Sequence, residues 1–159
     1  MFTPGTGKHH ASAYFAHAIQ AITHLNRRAI FLSRHCELQP QVLPQTVLWQ
    51  SEAPLHALLP HTLALVHHGG IGTMAEAFRA GISQLVVPLA HDQFDNAARI
   101  EELGVGRSLT SRKLNARTLQ RALQTLFSSS VLRDRCATTV LRFSTPKNSA
   151  ALYRAIESA

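Results

Sequence analysis

The sequence predicts an α/β fold in which a doubly wound parallel sheet is flanked by helices. Short apolar runs of strand length alternate with segments whose apolar residues recur every three or four positions, the spacing of amphipathic helices. Glycine-rich turns follow two of these runs, and each turn leads into a helical segment. No internal repeat interrupts the alternation, so residues 1–159 are predicted to form a single domain.

The first third of the chain predicts one helix and three strands. Residues 1–3 have the character of the end of a strand whose beginning is truncated. Residues 11–25 predict an amphipathic helix, because its apolar side chains fall at steps of three and four: Tyr14, Phe15, Ala18, Ile19, Ile22 and Leu25. Residues 29–32 and 47–49 predict strands, and the proline-containing segment between them predicts a loop.

The remainder continues the same alternation. A short helical pattern at Leu55, Leu58 and Leu59 is expected to end at Pro60. Strands are predicted at residues 63–66, 85–88 and 106–109. A helix that begins near Met74 is expected to stop at Gly81, and a helix over residues 97–103 at Gly104. Three more helices are predicted around residues 116–127, 131–143 and 150–156.

Composition excludes several classes of protein. Apolar residues make up 45% of the chain, yet no run approaches the ~18 apolar residues of a membrane helix. The amino terminus lacks the features of a signal peptide, so a cytoplasmic location is the default expectation. Cys36 and Cys136 are isolated in the sequence, which predicts reduced, partly buried thiols and neither a disulfide framework nor a thiolate zinc site.

The net charge of +7 is concentrated in the last third of the chain. Four of its basic residues, Arg112, Lys113, Arg117 and Arg121, recur at helical spacing, which is typical of a solvated helix face. The few aromatic residues are not interleaved with basic ones, so binding to nucleic acid is not expected. An anionic membrane that the chain contacts peripherally is retained as an alternative partner.

The stretch between residues 63 and 96 predicts a ligand site. Its first turn, His67 to Thr73, opens a helix, where glycines allow close approach of a ligand and free N–H groups favour an anion such as a diphosphate. Asp92 and Gln93 follow the next strand and should reach the same edge of the sheet. Their side chains suit sugar hydroxyls. The string GTGK is not a phosphate loop, because Phe2 occupies the position of its first glycine.

Two motifs in this stretch resemble those of a known family. HHGGIGTMAEAFRAG and PLAHDQFDNAAR resemble the donor-binding signature of UDP-dependent glycosyltransferases of the GT-B fold, of the bacterial macrolide and sterol glycosyltransferase type. The pattern in that family is HGGxGT followed by DQxxNA. The resemblance runs from FTPGTG to about Arg107 and covers only the carboxyl-terminal half of such an enzyme. It implies a Rossmann-like domain, one half of a GT-B fold.

The resemblance also implies roles for individual residues. It implies that Glu76 contacts the ribose and that the backbone of Ala53 contacts the base. It also implies that Asp92 and Gln93 contact the sugar. The residues implied to contact the donor diphosphate are Gly5, Thr6, Gly7, His68, Gly70, Gly72 and Thr73. His67 precedes this set and is expected to be structural. The family often has an aromatic residue beside the base where this chain has Glu52, and Trp49 is expected to pack in the core instead.

The function that the resemblance implies is donor binding for transfer of a hexose, with inversion, from a UDP- or TDP-sugar to a small or lipid-like acceptor. No cofactor and no metal are expected, and the pairs His9-His10 and His67-His68 lack the spacing of zinc ligands. The family's acceptor site and general base belong to a separate N-terminal domain that this chain lacks, so no catalytic residue is assigned here. An acceptor-domain protein is therefore an expected partner.

The sequence leaves three alternatives for the function of the chain. The chain is the donor half of an enzyme that works with an acceptor half, or it is a stand-alone nucleotide-sugar binding module. The third alternative, a nucleotide-sugar epimerase, is disfavoured by the DQxxNA match. Self-association is also expected if Leu152 and Ile156, four residues apart on one helix face, are left without a partner.

Overall fold

A computed structural model describes residues 1–5 and 11–144 of the chain. The expectations for Thr6, Gly7, the pair His9-His10 and the helix at residues 150–156 lie outside the described residues.

Six short strands and six α-helices make up the described chain. The strands are β1 (Phe2–Thr3), β2 (Ala29–Leu32), β3 (Val47–Gln50), β4 (Ala64–His67), β5 (Ser83–Val86) and β6 (Gly106–Ser108). The helices are α1 (Ala11–His24), α2 (Leu55–Leu58), α3 (Ile71–Ala80), α4 (Gln93–Leu103), α5 (Ala116–Ser128) and α6 (Ser130–Ser144). None of the helices in the described ranges is long and apolar enough to cross a membrane.

All six strands are parallel and form one sheet in the order β3-β2-β1-β4-β5-β6. The sheet grows outward from β1 to β2 and β3 on one side and from β4 to β5 and β6 on the other. Helices α1 and α5 pack together, as do α3 and α6. This is the doubly wound parallel sheet that the sequence predicts, and it has its topological switch point between β1 and β4.

The largest apolar cluster joins α1 and α5 to the sheet. Phe15 of α1 and Phe31 of β2 are fully buried, and their ring centroids lie 5.1 Å apart. Trp49 packs against the same cluster, with its ring centroid 4.6 Å from that of Phe15, as expected for a core residue. The spacing of apolar residues in the predicted helix at residues 11–25 therefore serves the core.

Several element boundaries differ from the predictions. Strand β5 begins two residues earlier than predicted, because Ser83 and Gln84 are polar yet buried, and their side chains bond to Leu63 O and His67. Strands of a parallel sheet are covered on both faces and are mostly apolar, and a polar residue is accommodated there when its side chain finds a hydrogen-bond partner, as Ser83 and Gln84 do. Helix α4 likewise begins at Gln93, four residues before the predicted start.

The helix-stop predictions are correct at Gly81 and Gly104 and wrong at Pro60. Both glycines follow their helices in the left-handed conformation, with φ of 65°. Helix α2, in contrast, ends at Leu58, and Pro60 lies inside a following 3-10 turn, Leu59–His61. A proline at the start of such a turn removes no hydrogen bond that the turn needs.

The two thiols differ from each other. Cys136 is buried, and its burial raises its pKa to about 11. Cys36 is exposed, so the expectation of partial burial is wrong for this residue. It lies in a 3-10 turn, Cys36–Leu38, within the segment between β2 and β3, and none of the residues of this turn is buried.

Candidate functional site

The two glycine turns meet at the switch point of the sheet. Gly5 follows β1 and His68 follows β4, and these two strands are neighbours, with Thr3 paired to His67. Open parallel sheets bind ligands at the carboxyl ends of their strands, where the strand order reverses. The topology therefore brings Gly5 and His68 together at the position where a ligand is expected.

The ring of His68 lies between two glycines. A Cβ atom at Gly5 would lie 2.7 Å from Nδ1 of His68, and one at Gly70 would lie 2.5 Å from Nε2. Gly5 also has φ of 79°, a conformation that other residues rarely adopt. A side chain at either glycine would therefore displace the histidine ring.

The environment of His68 favours its neutral form. Its Nδ1 is enclosed and has no hydrogen-bond partner in the described structure. Burial lowers the pKa of His68 below its ordinary value of 6.5, and the negative charge of Asp92 opposes this shift only partially. A neutral ring with its proton on Nε2 leaves a lone pair on the enclosed Nδ1, which costs less than an unpaired buried N–H. Nε2–H is then the group available to an incoming phosphate.

Helix α3 begins next to this ring with an open amino terminus. Gly70 is its N-cap residue and supplies no side-chain cap. The first N–H groups of an α-helix have no partner within the helix, and its positive dipole end attracts anions. Gly72 is exposed, and a Cβ atom added there would meet nothing within 4 Å. Thr73 is half-buried on the same first turn, so Gly70, Gly72 and Thr73 all belong to the helix end that begins beside His68.

His67 is buried and fully hydrogen-bonded, which confirms that it is structural. The backbone N–H of Gly69 donates to its Nδ1 over 3.1 Å, and its Nε2 lies 3.0 Å from Oε1 of Gln84. Because Nδ1 accepts, the ring proton must be on Nε2, which donates to Gln84. Burial lowers the pKa of His67 to about 4, so this side chain is neutral at physiological pH.

Asp92 and Gln93 lie at the start of α4, beside the glycine turn. The side chain of Asp92 is exposed, and one of its oxygens accepts a hydrogen bond from Asn96. Oε1 of Gln93 accepts from the backbone N–H groups of Leu89 and Ala90, over 2.8 and 3.2 Å. The amide oxygen of Gln93 therefore holds the preceding loop, and its NH₂ group is the part left to donate to a ligand.

Sequence reasoning missed the part played by Asn96. This buried side chain donates through Nδ2 to the carbonyl oxygen of Gly69, over 2.9 Å, and to Oδ2 of Asp92, over 3.2 Å. It links the glycine turn to the start of α4. Its place in the motif DQFDNA was the available signal, because it lies one helical turn after Asp92.

Glu76 and Ala53 are the two residues implied to contact the ribose and the base. Glu76 lies on the second turn of α3 and pairs with Arg79 over 2.6 Å through one of its two oxygens. Ala53 is half-buried in the loop after β3. Strand β3 is three places from β4, roughly 14 Å at about 4.8 Å per strand. Only an elongated ligand can reach both Ala53 and His68.

His68 also lines a cavity of about 340 Å³. Its walls include Pro4, Val87 and Leu89, and Tyr14, His17 and Arg112 add polar groups. These three polar residues were not predicted to be at the site. Tyr14 and His17 lie in a helix that was assigned to the core, and Arg112 was assigned to a basic surface. A larger cavity, of about 600 Å³, lies among residues at the amino ends of the strands, away from both glycine turns. Of these two cavities among the described residues, the smaller one is at the ligand-binding edge.

The described residues contain no group of three or more His, Cys, Asp or Glu side chains that could hold a metal ion. His68, the start of α3 and Asp92 offer hydrogen-bond donors for an anion and a carboxylate for hydroxyl groups.

Comparison with known proteins gives both sequence and structural matches. A sequence model described as the C-terminal domain of erythromycin biosynthesis protein CIII-like proteins matches residues 19–147. A sterol 3-beta-glucosyltransferase of Saccharomyces cerevisiae strain YJM789 is 41% identical over 93 residues, which are 58% of this chain and 8% of that protein. The chain thus spans a small part of this curated relative.

Two solved structures resemble the whole described fold. The calicheamicin glycosyltransferase CalG4 has a TM-score of 0.83 and 26% identity, covering 97% of this chain and 40% of its own. Glycosyltransferase VinC, solved in complex with dTDP, has a TM-score of 0.82 and 25% identity, covering 99% of this chain and 41% of its own. The chain therefore corresponds to about two fifths of each of these proteins.

Proposed function

The chain belongs to the family of erythromycin biosynthesis protein CIII-like C-terminal domains, and from this premise we propose that it is the donor-binding half of a glycosyltransferase. Family membership confirms the resemblance found in its sequence, and the fold is that of one Rossmann-like half of a GT-B glycosyltransferase. The proposed ligand is a UDP- or TDP-sugar. The matched VinC structure, which holds dTDP, supports this class of ligand.

The observation that carries the proposal is the convergence at the switch point. Gly5, His68 and the open amino terminus of α3 come together where β1 and β4 end, and Asp92 lies within electrostatic range of His68. Donors for an anion and a carboxylate for hydroxyl groups are thus adjacent. A sugar linked to a diphosphate presents these two chemistries side by side.

The strand order suggests how such a ligand lies. The base would lie near Ala53 after β3, the ribose near Glu76 and the diphosphate at Gly70, Gly72 and Thr73. The sugar would lie beyond His68, against Asp92 and Gln93. This direction follows the strands from β3 to β5, and each of these residues is at the carboxyl end of the sheet or on the first two turns of α3.

In transfer, the task of this half is to stabilise the departing nucleoside diphosphate. Negative charge develops on the phosphate oxygen as its bond to the sugar breaks. The Nε2–H of His68 and the first N–H groups of α3 are fixed donors for that charge, and such preorganised groups need no rearrangement during the reaction. The carboxylate of Asp92 orients the sugar by accepting from its hydroxyl groups. No cofactor takes part in this proposal.

Transfer of a hexose to a small or lipid-like acceptor, with inversion, is proposed for the assembly with an acceptor-binding half. That half would be an acceptor-domain protein, or a second copy of this chain would cover the site. The sterol 3-beta-glucosyltransferases among the relatives support a lipid-like acceptor. A cytoplasmic location is proposed on the exposed thiol of Cys36, which suits a reducing compartment. The basic surface at Arg117 and Arg121, both exposed, suits a peripheral membrane contact.

A nucleotide-sugar binding module without transferase activity is the second candidate. Its support is that the family match, over residues 19–147, is to a C-terminal domain. The two candidates share the donor site and differ only in what the bound sugar does next.

Calorimetric titration of the purified chain with UDP, TDP and ADP tests the shared donor site. Binding of UDP or TDP, together with a higher melting temperature by mass action, is the expected result. Absence of both heat and thermal shift at millimolar nucleotide contradicts the proposal. Sugar transfer from UDP-glucose to cholesterol is then assayed with and without an acceptor-domain protein, and activity that needs the second protein favours the enzyme over the module.

A further inference from the structure

A continuous set of hydrogen bonds connects the interior of the sheet to the start of α4. It runs from Gln84 through the ring of His67 to the N–H of Gly69, and from the carbonyl of Gly69 through Asn96 to Asp92. The distances of these four bonds are 3.0, 3.1, 2.9 and 3.2 Å. Both polar groups of the Gly69 backbone are therefore held by side chains, the N–H by His67, two residues earlier, and the carbonyl by Asn96, from the next helix along the chain.

Gly69 is also confined by packing. Its φ is 97°, and an added Cβ atom would lie 2.9 Å from Cγ1 of Val86 and 3.1 Å from the carbonyl oxygen of Gln93. The glycine turn thus rests directly on the end of β5 and on the first residue of α4. A shift of the turn would have to move α4 or break a bond to His67 or Asn96.

Three members of the set lie in the interior. The exposed fractions of His67, Gln84 and Asn96 are 0%, 0% and 7%. Bonds in such an environment are not exchanged readily for bonds to water, so they fix geometry more firmly than surface contacts do. Asp92, at the outer end of the set, is exposed and can reach a ligand.

We propose that His67, Gln84 and Asn96 are positioning residues that hold the diphosphate turn and the sugar-binding carboxylate in one fixed arrangement. This inference rests on the proposed donor site. His67 sets the position of the Gly69 amide. It thereby also sets the position of His68, which lies between the two, and of the start of α3, which follows Gly69. Asn96 sets the distance between that turn and Asp92. None of the three needs to touch the ligand.

The two nitrogens of His67 allow a matched pair of variants. In His67→Asn the side-chain oxygen can take the position of Nδ1 and accept from Gly69, but the contact with Gln84 is lost. In His67→Gln the longer amide can take the position of Nε2 and meet Gln84, but Gly69 loses its acceptor. Both changes remove the imidazole, and only the second releases the turn.

The first measurement is calorimetric titration with UDP and with TDP. We expect His67→Asn to bind within about threefold of the parent chain and His67→Gln to bind about tenfold more weakly, the cost of one unmade hydrogen bond. The control is Ser83→Ala. It removes the bond from Ser83, at the start of β5, to the carbonyl oxygen of Leu63, just before β4. It should lower stability and leave the dissociation constant unchanged. Equal affinities for the Asn and Gln variants would overturn the inference.

A second measurement, amide hydrogen exchange at Gly69, needs no ligand. The N–H of Gly69 should stay protected in His67→Asn and exchange faster in His67→Gln. If the parent binds neither UDP nor TDP, the proposed function fails, and this exchange rate alone then decides whether His67 holds the turn. Equal protection in the two variants counts against the inference whatever the ligand does.

Asn96→Asp covers the case in which neither His67 variant folds. Aspartate has nearly the same size but offers only oxygens to the Gly69 carbonyl and to Asp92, so it replaces two attractions by repulsion. We expect it to weaken UDP or TDP binding about tenfold. Binding within about twofold of the parent, in a folded variant, would overturn the inference.

Discussion

The ring of His68 lies against Gly5, and this contact joins two turns that are 63 residues apart in the chain. A Cβ atom at Gly5 would lie 2.7 Å from both Cε1 and Nδ1 of the ring. Because Gly5 follows β1 and His68 follows β4, the contact spans the switch point of the sheet. The candidate site is therefore assembled from both halves of the doubly wound sheet.

Gly5→Ala should displace the His68 ring and destabilise the chain. The methyl group meets the ring, and the backbone at Gly5 has φ of 79°. Together these costs amount to roughly 1–3 kcal/mol of the free energy of unfolding. Urea denaturation measures this loss, and calorimetry should show weaker binding of UDP. Unchanged stability would mean that the turn moves away from His68 without cost.

Gly72→Ala is the matched change at a glycine with free space. Since nothing lies within 4 Å of the added Cβ atom, the helix should gain about 0.5–1 kcal/mol from the better helix former. Binding of UDP should nevertheless weaken, because the methyl group occupies the space that the diphosphate needs. Tighter or equal binding would show that the phosphate does not approach Gly72.

His68→Ala should weaken UDP binding by about 1.5–3 kcal/mol, the usual worth of a hydrogen bond to a charged group. The expected donor is Nε2–H, since Nδ1 is enclosed without a partner in the described structure. Titration of the variant with UDP and with uridine separates the phosphate contact from the rest, because uridine has no phosphate to lose. An equal loss for both ligands would argue for general disruption of the site.

Gln93→Glu tests the amide group without releasing the loop. A carboxylate can still accept from the N–H groups of Leu89 and Ala90, which Oε1 of Gln93 does at 2.8 and 3.2 Å. The variant loses only the NH₂ donor. UDP-glucose should therefore bind about fivefold to tenfold more weakly while UDP is unaffected. Gln93→Ala, which releases the loop as well, should weaken both ligands.

The stability of the chain should fall between pH 6.5 and about 4, and His67 should account for part of that fall. Burial lowers the pKa of His67 to about 4 in the folded chain, from 6.5 when unfolded. The unfolded chain then binds more protons in this range, so the contribution is complete above pH 6.5 and is lost as the pH falls. The loss is about 3 kcal/mol at most.

Urea denaturation at several pH values, with His67→Asn as the control, isolates this contribution. The amino group of Met1, whose pKa burial lowers to about 5, adds a slope of the same sign in both proteins. The difference between the two proteins should therefore reflect His67. Parallel curves would mean that His67 titrates normally in the folded chain.

Local patterns in the sequence were sufficient for the architecture. The alternation of strands and helices predicted the parallel doubly wound sheet, and Gly81 and Gly104 end their helices as expected because each adopts φ of 65°. Predictions of boundaries failed where polar residues enter buried strands, as Ser83 and Gln84 do. The periodicity of apolar residues predicts that such polar residues are exposed. Their burial depends instead on hydrogen-bond partners far away in the chain.

The sequence by itself determined where in the chain the candidate site lies. The motifs around His68 and Asp92 predicted an anion-binding helix start and a carboxylate at the same edge of a sheet, and the fold brings both to that edge. Motif residues are close in sequence and follow consecutive strands, so their common location follows from the parallel arrangement alone.

Only the tertiary structure decided how the site is held together. The contact of Gly5 with His68, the bond from His67 to Gln84 and the bridge from Asn96 to Gly69 join residues between 17 and 63 positions apart. Such contacts depend on which strands become neighbours and on which side chains find buried partners. The sequence pattern contains no information about either choice. A buried polar group is stable only when the complete fold supplies its hydrogen bonds.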